Sequence, residues 1–338
     1  RNWMNDPNGP IYHNGGWHLY YQYNPTGDQW GEIGWGHASS EDLRTWKEHP
    51  LAIAADERDL IFSGSVIHDA SNVSGLGNKN AGPLLAYYTG HRRSGDQHQV
   101  QCLAYSNDDG LTWTKHSSNP IIDLGLADFR DPKVFWHEPS KAWIMLLSLA
   151  AERAVLFFSS KNLLNWDKVG RFDAPFDGAH EWECPDLMEL PVRGEHPTAH
   201  KWVLFISVGG GAPSGGVGVQ YFIGEFDGSN FTPDDAVIER WVDQGPDFYA
   251  PQSFSGREST RAGGVWLGWM NNWRYAKDTL PDPSRGMMSF PRRLGLSRNR
   301  GRLHLGDSGV DDSKTTTPMT QHGVLLVKLF DTTLDECR

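Results

Sequence analysis

Three acidic residues of this 338-residue chain sit in segments whose composition suits chemistry. Asp6 lies in Asn2-Trp-Met-Asn-Asp-Pro-Asn-Gly9, Asp131 in Arg130-Asp-Pro132, and Glu183 in Glu181-Trp-Glu-Cys-Pro-Asp186. Each alone has a plainer explanation. Asp-Pro-Asn-Gly is good turn chemistry. An adjacent Arg and Asp can be a surface ion pair of little energetic value. A short acidic stretch can be a solvated loop. Taken together they read differently. Two carboxyl groups on one site are the machinery of glycoside cleavage, one attacking while ionised and one giving a proton to the leaving oxygen. That division needs different environments. Asn5, Asn8 and the turn amides suit an ionised Asp6, whereas Trp182 and Cys184 beside Glu183 suit a raised pKa. Arg130 should keep Asp131 charged and able to hold sugar hydroxyls.

The elements that must position these acids are strands. Trp17, Leu19, Tyr21 and Tyr23 alternate with His18, Tyr20 and Gln22, the two-residue period of a strand with two unlike faces. Similar runs occur at Leu84–Thr89, Val134–Trp136, Trp143–Leu149, Ala154–Ser159, Trp202–Val208, Val219–Phe226 and Gly264–Met270, separated by Gly, Asn, Asp and Pro clusters. Ser40–Trp46 has the look of a capped helix, but the pattern of Ser, polar turn and aromatic recurs at Ser106…Trp113 and Ser160…Trp166. It therefore reads as a turn between strands. A second recurrence opens strands at Asp6-Pro7, Phe62-Ser-Gly-Ser65, Asp131-Pro132, Glu183-Cys-Pro185 and Ala250-Pro251, about 60 residues apart. This predicts an all-β chain folded as a five-bladed β-propeller with four strands per blade; an irregular β-sandwich is the alternative. In a propeller the first strand of each blade lines the central channel, so Asp6, Asp131 and Glu183 would converge at one end of it.

Composition narrows the classes. Asp and Glu outnumber Lys and Arg, 42 to 31, which argues against a nucleic-acid or anionic-membrane surface. The longest apolar run, Ala142–Ala151, is half of what a membrane span needs (roughly 20 residues) and contains Ser148. Trp, Phe and Tyr make up 12% of the chain, enough to bury a large core and to exclude disorder. Cys102, Cys184 and Cys337 form neither a disulfide framework nor a Cys-x-x-Cys site, Gly209-Gly-Gly211 is no P-loop, and Ser63 and Ser65 lack a nucleophile elbow. No metal or cofactor is expected. Asn72 and Asn230 stand in glycosylation sequons, and no signal peptide is visible.

Trp3-Met-Asn-Asp-Pro-Asn-Gly9, Phe62-Ser-Gly64, Arg130-Asp-Pro132 and Glu183-Cys184 resemble the motif set of glycoside hydrolase family 32, in order and at compatible spacing over about residues 1 to 295. That family comprises the β-fructofuranosidases: invertases, exo-inulinases, levanases and related fructosyltransferases. The resemblance implies that Asp6 is the nucleophile at C2 of a terminal β-fructofuranosyl unit, and that Glu183 is the general acid and then base. Asp131, with Arg130, would stabilise the transition state. It implies retention, with the Asp6 and Glu183 carboxyls roughly 5–5.5 Å apart. Asn5, Gln22, Trp30, Phe62, Ser63, Tyr249 and Trp273 match substrate-binding positions; for the aromatics, core packing is the competing fate.

The segment Gly215–Gly228 is more similar to exo-inulinases and levanases than to plant invertases. The substrates implied are sucrose and fructans, and secretion is expected. A fructosyltransferase on the same scaffold, or an inactive carbohydrate-binding propeller, are the alternatives. Residues 1–296 are assigned to the propeller and 297–338 to a polar tail with a short apolar strand at Val324–Phe330. The C-terminal β-sandwich usual in the family is expected to be missing or truncated.

Overall fold

The computed structural model describes residues 2–309 apart from 79–81, 94–97, 176–177, 195–198, 236–237, 257–263, 281–284 and 300–301, together with 317–318. The tail strand expected at Val324–Phe330 lies outside the described residues. Every described element is a strand, and the strands form a five-bladed β-propeller.

Blade one holds β1 (Met4–His13), β2 (Gly16–Tyr23), β3 (Gly34–Ser40) and β4 (Lys47–Ile53). Blade two holds β5 (Asp59–His68), β6 (Leu84–Arg92), β7 (Gln99–Ser106) and β8 (Thr114–Lys115), with β9 (Ile122–Leu126) also paired to β7. Blade three is β10 (Phe129–His137), β11 (Ala142–Leu149), β12 (Ala154–Ser160) and β13 (Asp167–Asp173). Blade four is β14 (Trp182–Arg193), β15 (His200–Val208), β16 (Gly218–Phe226) and β17 (Phe231–Pro233). Blade five is β18 (Tyr249–Ser253), β19 (Val265–Trp269), β20 (Arg292–Asn299) and β21 (Arg302–Gly309). Residue 296, expected as the end of the propeller, falls inside β20, and β21 follows as that blade's outer strand. The ring closes where Ser255, just past β18, bonds to β1: its N–H donates to the Pro10 carbonyl and its own carbonyl accepts from Tyr12 N–H, both at 2.9 Å.

Alternation along the strands builds the cores. In β11, Met145, Leu147 and Leu149 face blade two, while Ile144 and Leu146 face blade four. The same division runs around the ring, so each pair of neighbouring blades shares one apolar core. Both faces of every sheet are therefore apolar, unlike an antiparallel sheet with one wet face.

The repeated Ser-turn-aromatic segments are turns in the structure. Ser40 Oγ accepts from Leu43 N–H at 2.8 Å, Ser160 Oγ accepts from Leu163 N–H at 2.8 Å, and Ser106 Oγ accepts from Gly110 N–H at 2.9 Å. Leu43, Asp109 and Leu163 hold positive φ of 62°, 60° and 65°. A hydroxyl that satisfies the turn's N–H groups competes with helix formation, which is why these segments do not coil.

Candidate active site

All five inner strands carry the same irregularity. In each, three residues span the distance covered by two on the neighbouring strand, the signature of a β-bulge. The bulged pairs are Asn5-Asp6, Phe62-Ser63, Asp131-Pro132, Cys184-Pro185 and Ala250-Pro251. Proline is tolerated there because a bulge leaves a ladder position unpaired. This register corrects the alignment of Asp6-Pro7 with Asp131-Pro132 made from sequence. Asn5, not Asp6, is level with Asp131, and Glu183 stands one residue before its bulge. The three acids therefore occupy three successive positions of one repeated bulge.

The bulges also free backbone groups for the site. Asp131, Cys184 and Ala250, the first bulged residues of blades three to five, have left-handed φ of 66°, 45° and 47°. Such a conformation costs a non-glycine residue roughly 1–2 kcal/mol and is commonly kept at functional sites. The Asp131 N–H donates to Thr89 Oγ1 at 2.9 Å, and the Cys184 N–H donates to Asp131 Oδ2 at 2.8 Å. Gly64 follows the bulge of blade two because a Cβ there would lie 1.9 Å from the Tyr87 carbonyl oxygen.

The acids converge. Ser63 Oγ donates to Asp6 Oδ2 at 3.0 Å. The Cys184 sulfur lies 3.8 Å from that same Asp6 oxygen and 3.5 Å from Asp131 Oδ2. Asp6 Oδ1 is buried and accepts no hydrogen bond from any described residue. Arg130 Nε is 3.2 Å from Glu183 Oε1 and 3.9 Å from Asp131 Oδ2. Tyr249 donates its hydroxyl to Glu183 Oε2. One guanidinium thus serves two of these three carboxyl groups, those of Glu183 and Asp131.

The pKa values follow from that imbalance. Burial, and then the Glu183 charge, push Asp6 up to about 7, with Asp131 adding to the rise and the Asn5 and Ser63 hydrogen bonds opposing it. Burial pushes Asp131 up to about 6, against the pull of Arg130. The expectation that turn amides keep Asp6 readily ionised is therefore corrected. Desolvation and two neighbouring acids outweigh its hydrogen bonds.

The other expected residues make contacts of their own. Asn5 Oδ1 accepts from Trp3 Nε1 at 2.7 Å, and Trp273 stacks on Trp3 with centroids 5.6 Å apart. Phe62 stacks on His91 at 4.6 Å, and the half-exposed Trp30 meets Phe62 edge-on at 6.0 Å. Gln22 is buried and donates to the Ile61 carbonyl at 3.0 Å, bridging blades one and two.

Sequence reading missed Thr89, Gln99 and Asp128. Arg130 Nη1 donates to Gln99 Oε1 at 3.2 Å and to Asp128 Oδ1 at 3.0 Å, which sets the guanidinium between the blades. Gln99 and Gln101 are polar residues at a two-residue period at the start of β7, ahead of the apolar Cys102, Leu103 and Ala104. That pattern was the available signal. A polar cleft of about 430 Å³ opens beside Arg130, lined by Asp128, Arg153, Gly178, His180 and Glu181 among others.

Comparison with known proteins decides the family. The glycosyl hydrolases family 32 N-terminal domain matches residues 1–306. The chain belongs to glycosyl hydrolase family 32. A levanase from Bacillus subtilis is 51% identical over 301 residues, and an extracellular exo-inulinase from Aspergillus niger is 42% identical over 327 residues. These alignments cover 87% and 88% of this chain but only 43% and 60% of the two relatives. Among solved structures, β-fructofuranosidase from Schwanniomyces occidentalis in complex with fructosyl-erythritol superposes with a TM-score of 0.86 at 41% identity, covering 93% of this chain and 62% of that one. This chain carries the motifs Trp3–Gly9, Phe62–Gly64, Arg130–Pro132 and Glu183–Cys184 at the bulges of blades one to four, and blade five bears Tyr249 beside its bulge.

Proposed function

We propose that the chain is a retaining exo-β-fructofuranosidase that releases terminal fructose from sucrose and from inulin- or levan-type fructans. The observation that carries this reading is the arrangement around Asp6. One of its oxygens is anchored by Ser63, the other is buried and unengaged, and two further carboxyl groups from two other blades surround it.

In this reaction Asp6 Oδ1 attacks the anomeric C2 of fructose and forms a covalent ester. As the C2–O bond breaks, Glu183 gives its proton to the departing sugar oxygen. Tyr249 and Arg130 engage the two oxygens of Glu183 and hold it in place. Glu183 then takes a proton from water, which attacks C2, breaks the ester and regenerates Asp6. Asp131, fixed by the Cys184 N–H and Arg130, binds fructose hydroxyls while positive charge develops on the ring. Asn5, Gln22, Trp30, Phe62, Ser63 and Trp273 complete the fructose pocket, where aromatic faces suit the apolar face of the sugar. The cleft beside Arg130 receives the rest of the substrate. A secreted protein acting on external fructans agrees with the extracellular label of the Aspergillus relative.

Incubation of the purified chain with sucrose, inulin and levan, followed by chromatography, tests this reading. Free fructose is the expected product. Growth of longer oligosaccharides would make the protein a transferase, and absence of any product would overturn the reading.

A further inference from the structure

A second set of charges lies further along the inner strands. Lys133 of β10 and Asp186 of β14 form an ion pair of 3.1 Å, with side chains only 6% and 0% exposed. Lys133 Nζ also donates to the carbonyl oxygen and to Oγ of Ser253 on β18, both at 2.8 Å. Asp186 Oδ2 accepts from the Ser253 N–H at 2.6 Å. The three donors of the ammonium are thereby all used. A buried pair of this kind is weak evidence for stability, since apolar residues of similar size often serve as well.

Its place in the repeat is more telling. Lys133 and Asp186 are the residues that close the bulges of blades three and four, where pairing with the neighbouring strand resumes. Ser253 follows Gln252, which closes the bulge of blade five. Those three bulges carry Asp131 as a bulged residue and Glu183 and Tyr249 on their other flank. The corresponding residues of blades one and two, Pro7 and Gly64, have no charged side chain. The clamp is confined to the blades that carry Asp131, Glu183 and Tyr249.

We propose that Lys133, Asp186 and Ser253 form a positioning clamp that sets the separation of Asp131, Glu183 and Tyr249. The clamp touches no reacting atom. It acts by fixing three strands at the point where each leaves its bulge. A displacement of about 1 Å at a reacting group commonly lowers turnover about a hundredfold. The consequence for rate rests on the fructosidase reading; the consequence for carboxyl geometry does not.

The test uses the full chain and the double variant Lys133→Met/Asp186→Leu, which replaces the pair with apolar groups of similar size. The variant is expected to fold with a modestly lower thermal midpoint, because it removes the charge pair together but leaves the buried Ser253 N–H without its acceptor. Turnover of sucrose should fall about tenfold to a hundredfold with KM changed less than about threefold. The limbs of the kcat/KM pH profile should move by at least about half a unit, which a merely less-folded population would not show. Carbon-13 NMR titration of the Asp and Glu carboxyls should show the same displacement without substrate.

Unchanged carboxyl titrations and pH limbs overturn the clamp, whatever the rate. Displaced titrations in a protein that never releases fructose would sustain the clamp and sink the fructosidase reading instead. If the double variant does not fold, Ser253→Ala decides. It removes only the hydroxyl contact, and it should lower kcat about threefold with a shifted limb; titrations and rate equal to wild type overturn the proposal.

Discussion

Two groups of buried charges share the inner strands of this propeller, and they are built on opposite plans. At the bulges, Asp6, Asp131 and Glu183 crowd together, and Arg130 pairs with Asp131 and Glu183 while Asp6 is flanked by acids. Further along, Asp186 faces Lys133 one for one, and Ser253 completes the set. Burial lowers the pKa of Lys133, and the adjacent Asp186 opposes that fall only in part. Burial raises Asp6 and Asp131, and neighbouring acids raise them further. The difference teaches how one channel separates work from support. An unbalanced cluster holds protons near neutral pH, where they can be moved. A balanced one is chemically quiet and can only hold strands in place.

The comparison breaks first at Asp6. Asp6→Ala removes the attacking oxygen, and fructose release should fall at least about 10⁴-fold. A sucrose assay with single-turnover sensitivity measures this, and residual activity within tenfold of wild type would mean that the unbalanced cluster is not the reacting one.

The matched pair should respond in stability instead. Lys133→Met alone leaves Asp186 buried and uncompensated, and should cost about 3–5 kcal/mol in urea unfolding. The double variant should recover part of it, since it removes the uncompensated charge but leaves the Ser253 N–H without its acceptor. Equal losses in single and double variants would show that packing, not charge, dominates there.

A finer contrast is the pH dependence of stability. A carboxyl whose pKa rises on folding binds more protons in the native state than in the unfolded one. Such a group makes stability fall as pH rises from the ordinary carboxylate range, near 4, towards about 7. Asp6→Asn removes that ionisation. Relative to wild type, it should gain stability of the order of a few kcal/mol at pH 8 and less than about 1 kcal/mol at pH 4. Thermal melts at the two pH values check the sign, and a gain at pH 4 alone would contradict the raised pKa.

The smallest effect concerns the rim. Trp273 stacks on Trp3, which in turn donates to Asn5 beside Asp6. Trp273→Ala should raise KM for sucrose about threefold to tenfold with kcat little changed. A fall in kcat with KM unmoved would place Trp273 with the supporting groups rather than at the sugar.

Much of this site was legible before any coordinates. The strand alternation, the recurrent Ser-turn-aromatic segments and the five strand openings pointed to blades, and the acids stood at three of those openings. Local residue types control such features, because turn chemistry and side-chain period act over a few residues. The one-residue stagger of Asp6, Asp131 and Glu183 was not legible. A bulge is defined by a neighbouring strand, and the strand whose register skips Asp131 is β11, which the spacing of residues along β10 does not report. Thr89 and Gln99 escaped for a related reason: each serves an acid or arginine from a different strand.

The sequence by itself determined the repeat, the apolar faces and the chemical types at the channel mouth. It also determined the excess of acid over base there, since Asp6, Asp131, Glu183 and Arg130 are all visible in it. Only the tertiary structure decided which charges are matched. Arg130, adjacent to Asp131 in the chain, reaches Glu183 at shorter range, while Lys133 turns to Asp186 and Ser253 on two other blades. The physical reason is that pairing of charges depends on distance and desolvation, and both are set by how five inner strands close around one channel.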